Sequence, residues 1–303
     1  EAYGNLADCE YLISRLDIDP DIINHTPNVK FWQRWGAGFD HVDLKAWGER
    51  GIPIATCPGV NSGIVAELAI MLMLAGYRNL LQINRQLRAG HWPRTEYFGR
   101  SYMIKGKTVG VLGLGHIGKK VAALATAFGA NVIYYDIVRQ TEQEEKFGYR
   151  FVDFDTLLRE SDIYTIHCPL NEETRGMIGA EQFAQMKPTA MLINTARGPI
   201  VDEAALIDAL TTGKIATAGL DTYEREPLPK DHPLLTLDNV VASAHAGGNT
   251  KDNDINMEVA EFQLTSQGAA VDKAWDGREA VERFAASAPG GYQAILMDVM
   301  MPV

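Results

Sequence analysis

The 303-residue sequence predicts an α/β fold built on a doubly wound parallel sheet. Two observations carry that expectation. From residue 108 to about 244, short apolar runs alternate with helical segments, the runs falling at 109–112, 131–135, 163–167, 190–194, 216–220 and 239–242. At the head of that series stands Thr108–Gly118, TVGVLGLGHIG, an apolar run that breaks into glycines and then turns helical.

Within that stretch Val109, Val111 and Leu112 read as a buried strand, and the helix begins near His116 and continues through Val121, Leu124 and Phe128. Gly113, Gly115 and Gly118 form GxGxxG. The first glycine permits the tight turn, the second lets a pyrophosphate approach the backbone, and the third lets helix pack on strand. A helix N-terminus adds unpaired N–H groups and the positive end of a dipole. Alone, such a turn is also an ordinary strand–helix connection. The context argues for a dinucleotide site. A second apolar strand, Asn131–Tyr135, ends in Asp136, eighteen residues after Gly118, where an acidic group meets the adenosine ribose hydroxyls. Asp136 repels a ribose phosphate and so favours NAD over NADP. Arg139, close by, weakens that preference.

The remaining elements follow from punctuation and periodicity. Cys9–Ile13, Val29–Trp35 and Ile52–Ala55 read as strands, Asp21–Asn24 as a helical turn, and Asp43–Arg50 as a helix stopped by Gly51. Ser62–Leu74 is a helix apolar nearly all round, which means burial in a core or in a subunit contact. Asp202–Thr211 is a helix stopped by Gly213. The expected domains are 1–60, the truncated N-terminal part of a substrate domain; 61–246, a cofactor domain; and 247–303, a C-terminal return segment and a further fragment.

Composition narrows the function classes. With 46% apolar and 22% charged residues the chain is of globular type. A net charge of −11 argues against nucleic acid or an anionic membrane as main partner. No apolar run reaches ~18 residues, the length of a membrane span. Cys9, Cys57 and Cys168 are scattered, as in a reduced cytoplasmic protein, and no metal-ligand spacing is present. The chain starts at Glu1 without a Met, so the expectation is a natural N-terminus lying further upstream.

A second set of polar residues falls at the strand ends. Cys168 follows one apolar run, Thr195, Ala196 and Arg197 the next, Asp221 the next, with Glu226 shortly beyond, and His245 the last. Singly these read as a helix-start arginine, a solvated glutamate or a satisfied core histidine. Together, beside a nicotinamide-type turn, they suit hydride transfer to a 2-keto acid. His245 would supply the proton for the developing alkoxide, Glu226 would orient the imidazole and raise its pKa, and Arg197 would bind a carboxylate through its planar fork.

At this point the chain resembles the D-isomer-specific 2-hydroxyacid dehydrogenase family over roughly residues 1–250. The resemblance rests on GAGFDHVDL (36–44), GIPIATCPGVNSGIVAELA (51–69), VGVLGLGHIG (109–118), HCPLNEETRGMI (167–178), INTARGPIVDEAAL (193–206), AGLDTYEREP (218–227) and SAHAGG (243–248). It implies Arg197, Glu226 and His245 as catalytic residues. It implies contacts to NAD from His116, Ile117, Asp136, Cys168, Thr195 and Asp221, the last at the nicotinamide end. It implies that the backbone around Ala37 and Gly38 holds the substrate carboxylate. The implied architecture is a Rossmann domain with a smaller flavodoxin-like substrate domain, in a cytoplasmic homodimer whose interface includes helix 62–76.

Two departures accompany the resemblance. The family's opening strand, helix and strand have no counterpart before residues 1–10, so the expectation is a substrate domain incomplete at its N-terminus. Residues 252–303 instead resemble part of a response-regulator receiver domain, with Asp298 in ILMDVMMPV at the phosphoacceptor position. The acidic pair and the later strands of a working phosphoswitch are missing, so Asp298 reads as a strand-end aspartate. The expectation is that this receiver-like fragment completes the substrate-domain sheet; the rival is a fusion junction that packs against nothing. Two other functions stand beside the dehydrogenase: an NAD-binding corepressor-like scaffold resembling the C-terminal-binding proteins, and an inactive chimera that retains only cofactor binding.

Overall fold

The computed structural model describes Leu6, residues 9–14, 20–34, 36, 38–40, 42–250 and Thr265. The expectations for Ala37 and for the receiver-like tail, Asp298 included, lie outside the described residues. Two compact units divide the chain: Ser62–Asn249, and the sequence on either side of it.

The smaller unit carries β1 (Tyr11–Ser14), α1 (Ile22–His25), β2 (Phe31–Arg34), α2 (Leu44–Glu49) and β3 (Ile54–Ala55). The three strands are parallel in the order β1-β2-β3. Asp43 starts α2 by accepting the Ala46 N–H, and Gly51, at φ +70°, turns the chain after it. Trp32 and Trp47 meet at 4.9 Å between ring centroids and anchor a small core with Leu12, Ile22, Val29 and Ile52. The Trp32 indole N–H is satisfied by Ser14 Oγ at 3.0 Å.

The larger unit opens with α3 (Ser62–Tyr77) and α4 (Leu80–Arg88). The βα series follows: β4 (Thr108–Leu112), α5 (His116–Ala127), β5 (Asn131–Tyr135), α6 (Thr141–Phe147), β6 (Arg150–Phe151), α7 (Phe154–Glu160), β7 (Ile163–Ile166), α8 (Ala180–Gln185), β8 (Met191–Asn194), α9 (Glu203–Thr212), β9 (Thr217–Leu220) and β10 (Val240–Ala242). All seven strands are parallel, in the order β10-β9-β8-β7-β4-β5-β6. This is the expected doubly wound sheet. Its central strands are buried along their length because helices cover both faces. The order reverses between β4 and β7, and a crevice at the carboxyl ends of those two strands is where this architecture takes ligands.

The apolar helix α3 is a core element of its own unit. Nine of its sixteen residues are buried. Gly219 lets it lie close on β9, since a Cβ there would sit 2.9 Å from Leu72 Cβ. The neighbouring α4, which no sequence signal marked, buries none of its residues. Asp153 and Asp202 cap α7 and α9 through the N–H groups of Thr156 and Ala205, and Gly213, at φ +75°, ends α9 as expected.

Candidate active site

The glycine turn joins β4 to α5, and its three glycines are held to three different conditions. Gly113 takes φ +89°, and a Cβ there would lie 2.8 Å from the Cys168 nitrogen at the end of β7. Gly118 has no room at all: a Cβ would come within 2.1 Å of the Gly113 carbonyl oxygen. Gly115 has nothing within 4 Å of its would-be Cβ. The first and third glycines therefore close the turn on itself, and the second leaves an open backbone face directly before α5. His116 is the exposed first residue of α5, and Ile117 is half-buried against the core. Asp136, just past β5, braces the turn: its Oδ2 accepts the Leu114 N–H at 2.6 Å and its Oδ1 accepts the Val138 N–H at 3.1 Å.

The same edge of the sheet carries the other strand ends. Burial pushes the half-buried Cys168 thiol up to about 12 and holds the neighbouring His167 imidazole neutral, its pKa down to about 3. After β8, the buried Asn194 folds the next three residues: its amide donates to the Arg197 carbonyl at 2.9 Å and accepts the Ala196 N–H at 3.0 Å. Gly198 then abuts Tyr223, where a Cβ would lie 1.9 Å from the carbonyl carbon. That contact brings the Arg197 turn against the segment that bears Glu226.

Asp221, 1% exposed, organises the loop beyond β10. Its Oδ1 accepts the Ser243 hydroxyl at 2.5 Å and the Ala246 N–H at 2.9 Å, and its Oδ2 accepts the Gly247 N–H at 2.9 Å. Its backbone carbonyl accepts the His245 N–H at 2.8 Å. His245 itself sits at φ +51°. Tyr223 adds a further tie, its hydroxyl donating to the Ser243 carbonyl at 2.7 Å.

Held this way, His245 Nδ1 lies 2.6 Å from Glu226 Oε2. The other Glu226 oxygen accepts the Tyr223 N–H at 3.0 Å, which fixes the carboxylate plane. An ionised carboxylate only accepts, so Nδ1 carries the hydrogen and Nε2 is the atom that gains and loses a proton. The Glu226 hydrogen bond raises the His245 pKa, against burial and the nearby Arg197 charge, which lower it. Burial pushes Glu226 upward, but the His245 hydrogen bond, the Tyr223 N–H and the His245 and Arg197 charges outweigh it, and its pKa is lowered. Arg197 thus acts electrostatically on both members of the pair.

Arg197, Glu226 and His245 come together within the larger unit, on the sheet edge that bears the glycine turn. Gly38 lies in the smaller unit, where its carbonyl accepts from Arg34 Nε at 2.9 Å. Sequence reading gave no role to Asn194, Tyr223 and Ser243, and placed Gly198 at a strand end without one. Only Asn194, a strand-end Asn before a turn, had a recognisable local signal. Among the described residues, no group of three or more His, Cys, Asp or Glu side chains could hold a metal.

The residues present fit a dinucleotide. Gly115 leaves space before a helix N-terminus. Thr195 Oγ1, Thr222 Oγ1 and His167 Nδ1, at the carboxyl ends of β8, β9 and β7, are buried and lack hydrogen-bond partners. Each could exchange a hydrogen bond with a bound polar ligand. Fold and site together define a dinucleotide-binding α/β domain. The family model described as D-isomer specific 2-hydroxyacid dehydrogenase, NAD binding domain, matches residues 70–247, and the chain belongs to that family. It is 43% identical over 244 residues to a D-3-phosphoglycerate dehydrogenase of Archaeoglobus fulgidus, covering 80% of this chain and 46% of the relative. It is 39% identical over 254 residues to a glyoxylate reductase of Korarchaeum cryptofilum, covering 82% of this chain and 76% of the relative. A crystal structure of D-lactate dehydrogenase with NAD+ from Lactobacillus jensenii superposes with a TM-score of 0.71 at 30% identity, over 88% of each chain. The chain thus spans about half the length of the first relative and most of the others.

Proposed function

We propose that this chain transfers a hydride between NAD(H) and a small 2-hydroxy acid or its 2-keto acid. The observation that carries the reading is the 2.6 Å His245–Glu226 pair, under the charge of Arg197, on the edge that bears the glycine turn. The nicotinamide, when bound, supplies or accepts the hydride. In the reduction direction His245 Nε2 gives its proton to the carbonyl oxygen, and it takes one back in oxidation. Glu226 holds the ring by Nδ1 and stabilises the imidazolium. Arg197 offers a planar fork to the substrate carboxylate and positive charge to the developing alkoxide. With the cofactor bound, Asp136 would meet the adenosine ribose, Thr195 and Cys168 would flank the cofactor, and Asp221 would lie toward the nicotinamide.

We further assign the exposed apolar surface of α3 and α4, with Met71, Leu80, Leu81 and Leu87 each about half exposed, to contact with a second copy of the chain. The test of activity is NADH binding by fluorescence titration, followed by NADH consumption on a panel of 2-keto acids. Turnover of at least one keto acid is the expected result. Binding without turnover would defeat the enzyme reading and favour a cofactor-binding scaffold.

A further inference from the structure

We propose that Glu144, on α6, sets the choice between NADH and NADPH by keeping Arg139 closed to a ribose 2′-phosphate. The inference rests on the reading that the Asp136 edge takes the adenosine ribose. Arg139 follows Asp136 by three residues. A guanidinium just past that acidic position is the group that accommodates a 2′-phosphate in NADP-binding versions of this fold. Judged by sequence alone, Arg139 therefore erodes the preference for NAD that Asp136 creates.

The structure gives Arg139 a different engagement. Its Nε donates to Glu144 Oε1 at 2.9 Å and its Nη2 donates to Glu144 Oε2 at 2.7 Å. This is the bidentate geometry in which an arginine fork and a carboxylate match best. An isolated surface pair of that kind opens readily, but this one is rooted in the sheet. The Glu144 side chain is only 18% exposed, against 59% for Arg139. Glu144 Oε1 also accepts the hydroxyl of Tyr134 at 2.7 Å, and that hydroxyl accepts the Gln140 N–H at 2.8 Å. Tyr134 lies on β5 and is fully buried. The guanidinium is further seated 5.5 Å from the centre of the Phe151 ring on β6. With hydrogen bonds from Arg139 and Tyr134, the Glu144 carboxyl is held down at about 2, so the pair stays ionised near neutral pH.

Glu144 takes two of the five N–H donors of the fork and balances its charge, so a 2′-phosphate drawn to Arg139 meets a cation that is already neutralised. Sharing the guanidinium sets the Glu144 carboxylate beside a dianion, and the fixed Asp136 carboxylate adds its own repulsion. NADPH is therefore rejected twice, once by the acid at the end of β5 and once because the charge of Arg139 is already balanced by Glu144.

The test measures dissociation constants for NADH and NADPH by fluorescence titration, without turnover, on the wild-type chain and on Glu144→Gln, Arg139→Ala and the double variant. Gln keeps an acceptor for the Tyr134 hydroxyl while removing the charge that holds Arg139. The expected result is an NADPH affinity about tenfold or more higher in Glu144→Gln, with NADH affinity within about twofold of wild type. The gain should shrink in high salt and vanish in the double variant. Arg139→Ala alone should leave NADPH affinity unchanged, because the arginine is already withheld; this arm holds even if Glu144→Gln folds poorly. No improvement for NADPH in Glu144→Gln, a gain that survives loss of Arg139, or weaker NADPH binding in Arg139→Ala would each overturn the proposal. Absence of NADH binding by the wild-type chain would remove the underlying cofactor reading together with it.

Discussion

At the scale of single residues, the proposed chemistry turns on which imidazole nitrogen titrates. Nδ1 faces Glu226 at 2.6 Å, so Nε2 is left for the substrate. His245→Gln is expected to lower the rate of keto-acid reduction by about 10²–10⁴-fold, the usual worth of a general acid, while NADH affinity stays within about twofold. Steady-state kinetics beside a binding titration checks both halves. Glu226→Gln tests the pair through pH. Reduction needs protonated His245, so its rate falls as pH rises through the His245 pKa. Glu226 raises that pKa, and removing its charge should move the fall to lower pH. In the oxidation direction, which needs the neutral ring, the rise should begin at lower pH. Profiles of kcat in both directions that coincide with wild type would contradict the assignment. The roles proposed for His245, Glu226 and Arg197 were open to sequence reading because each stands at or shortly beyond the end of a distinct apolar run. The supports were not. Tyr223 acts through its backbone N–H and its distant hydroxyl, and Gly198 through the absence of a side chain, neither of which leaves a chemical signature in the chain.

At the scale of elements, the turn between β4 and α5 separates two demands that GxGxxG runs together. Gly118→Ala forces a Cβ to within 2.1 Å of a carbonyl oxygen inside the turn. It is expected to destabilise the larger unit by about 3 kcal/mol or more, read as a lower urea midpoint. Gly115→Ala meets nothing in the protein and keeps negative φ, so its unfolding midpoint should match wild type while NADH binding weakens. The motif itself was legible in the sequence; which glycine serves the fold and which serves the ligand was not, since that depends on where β7 and the turn's own carbonyl lie. Asp221 works at the same scale. Three donors converge on its buried carboxylate. Asp221→Asn replaces one accepting oxygen by an NH2 group facing an N–H or O–H donor, and should cost about 1–3 kcal/mol of stability along with slower turnover. Equilibrium unfolding and kcat measured on the same preparation test the two effects together.

At the scale of the whole molecule, the alternation of apolar runs specified the parallel sheet because buried parallel strands must be apolar on both faces. Short partly exposed pieces such as β6, and the polar-rich α4, lacked that signal. The exposed leucines on α4 give the homodimer proposal its test. Leu81→Asp with Leu87→Asp should shift the sedimenting species from dimer to monomer, and an unchanged sedimentation coefficient would point to a different interface. Among the described residues no single helix is long and apolar enough to cross a membrane. The loop after β10 is secondary-structure-free by shape, yet the amides of His245, Ala246 and Gly247 all donate to Asp221, directly beyond β9. Their deuterium uptake should accordingly be as slow as that of β9 and far slower than that of the neighbouring 224–232 segment. The proton-handling group would then breathe only when the sheet does, and warming the protein toward its melting point should switch off exchange protection and turnover over one shared temperature interval.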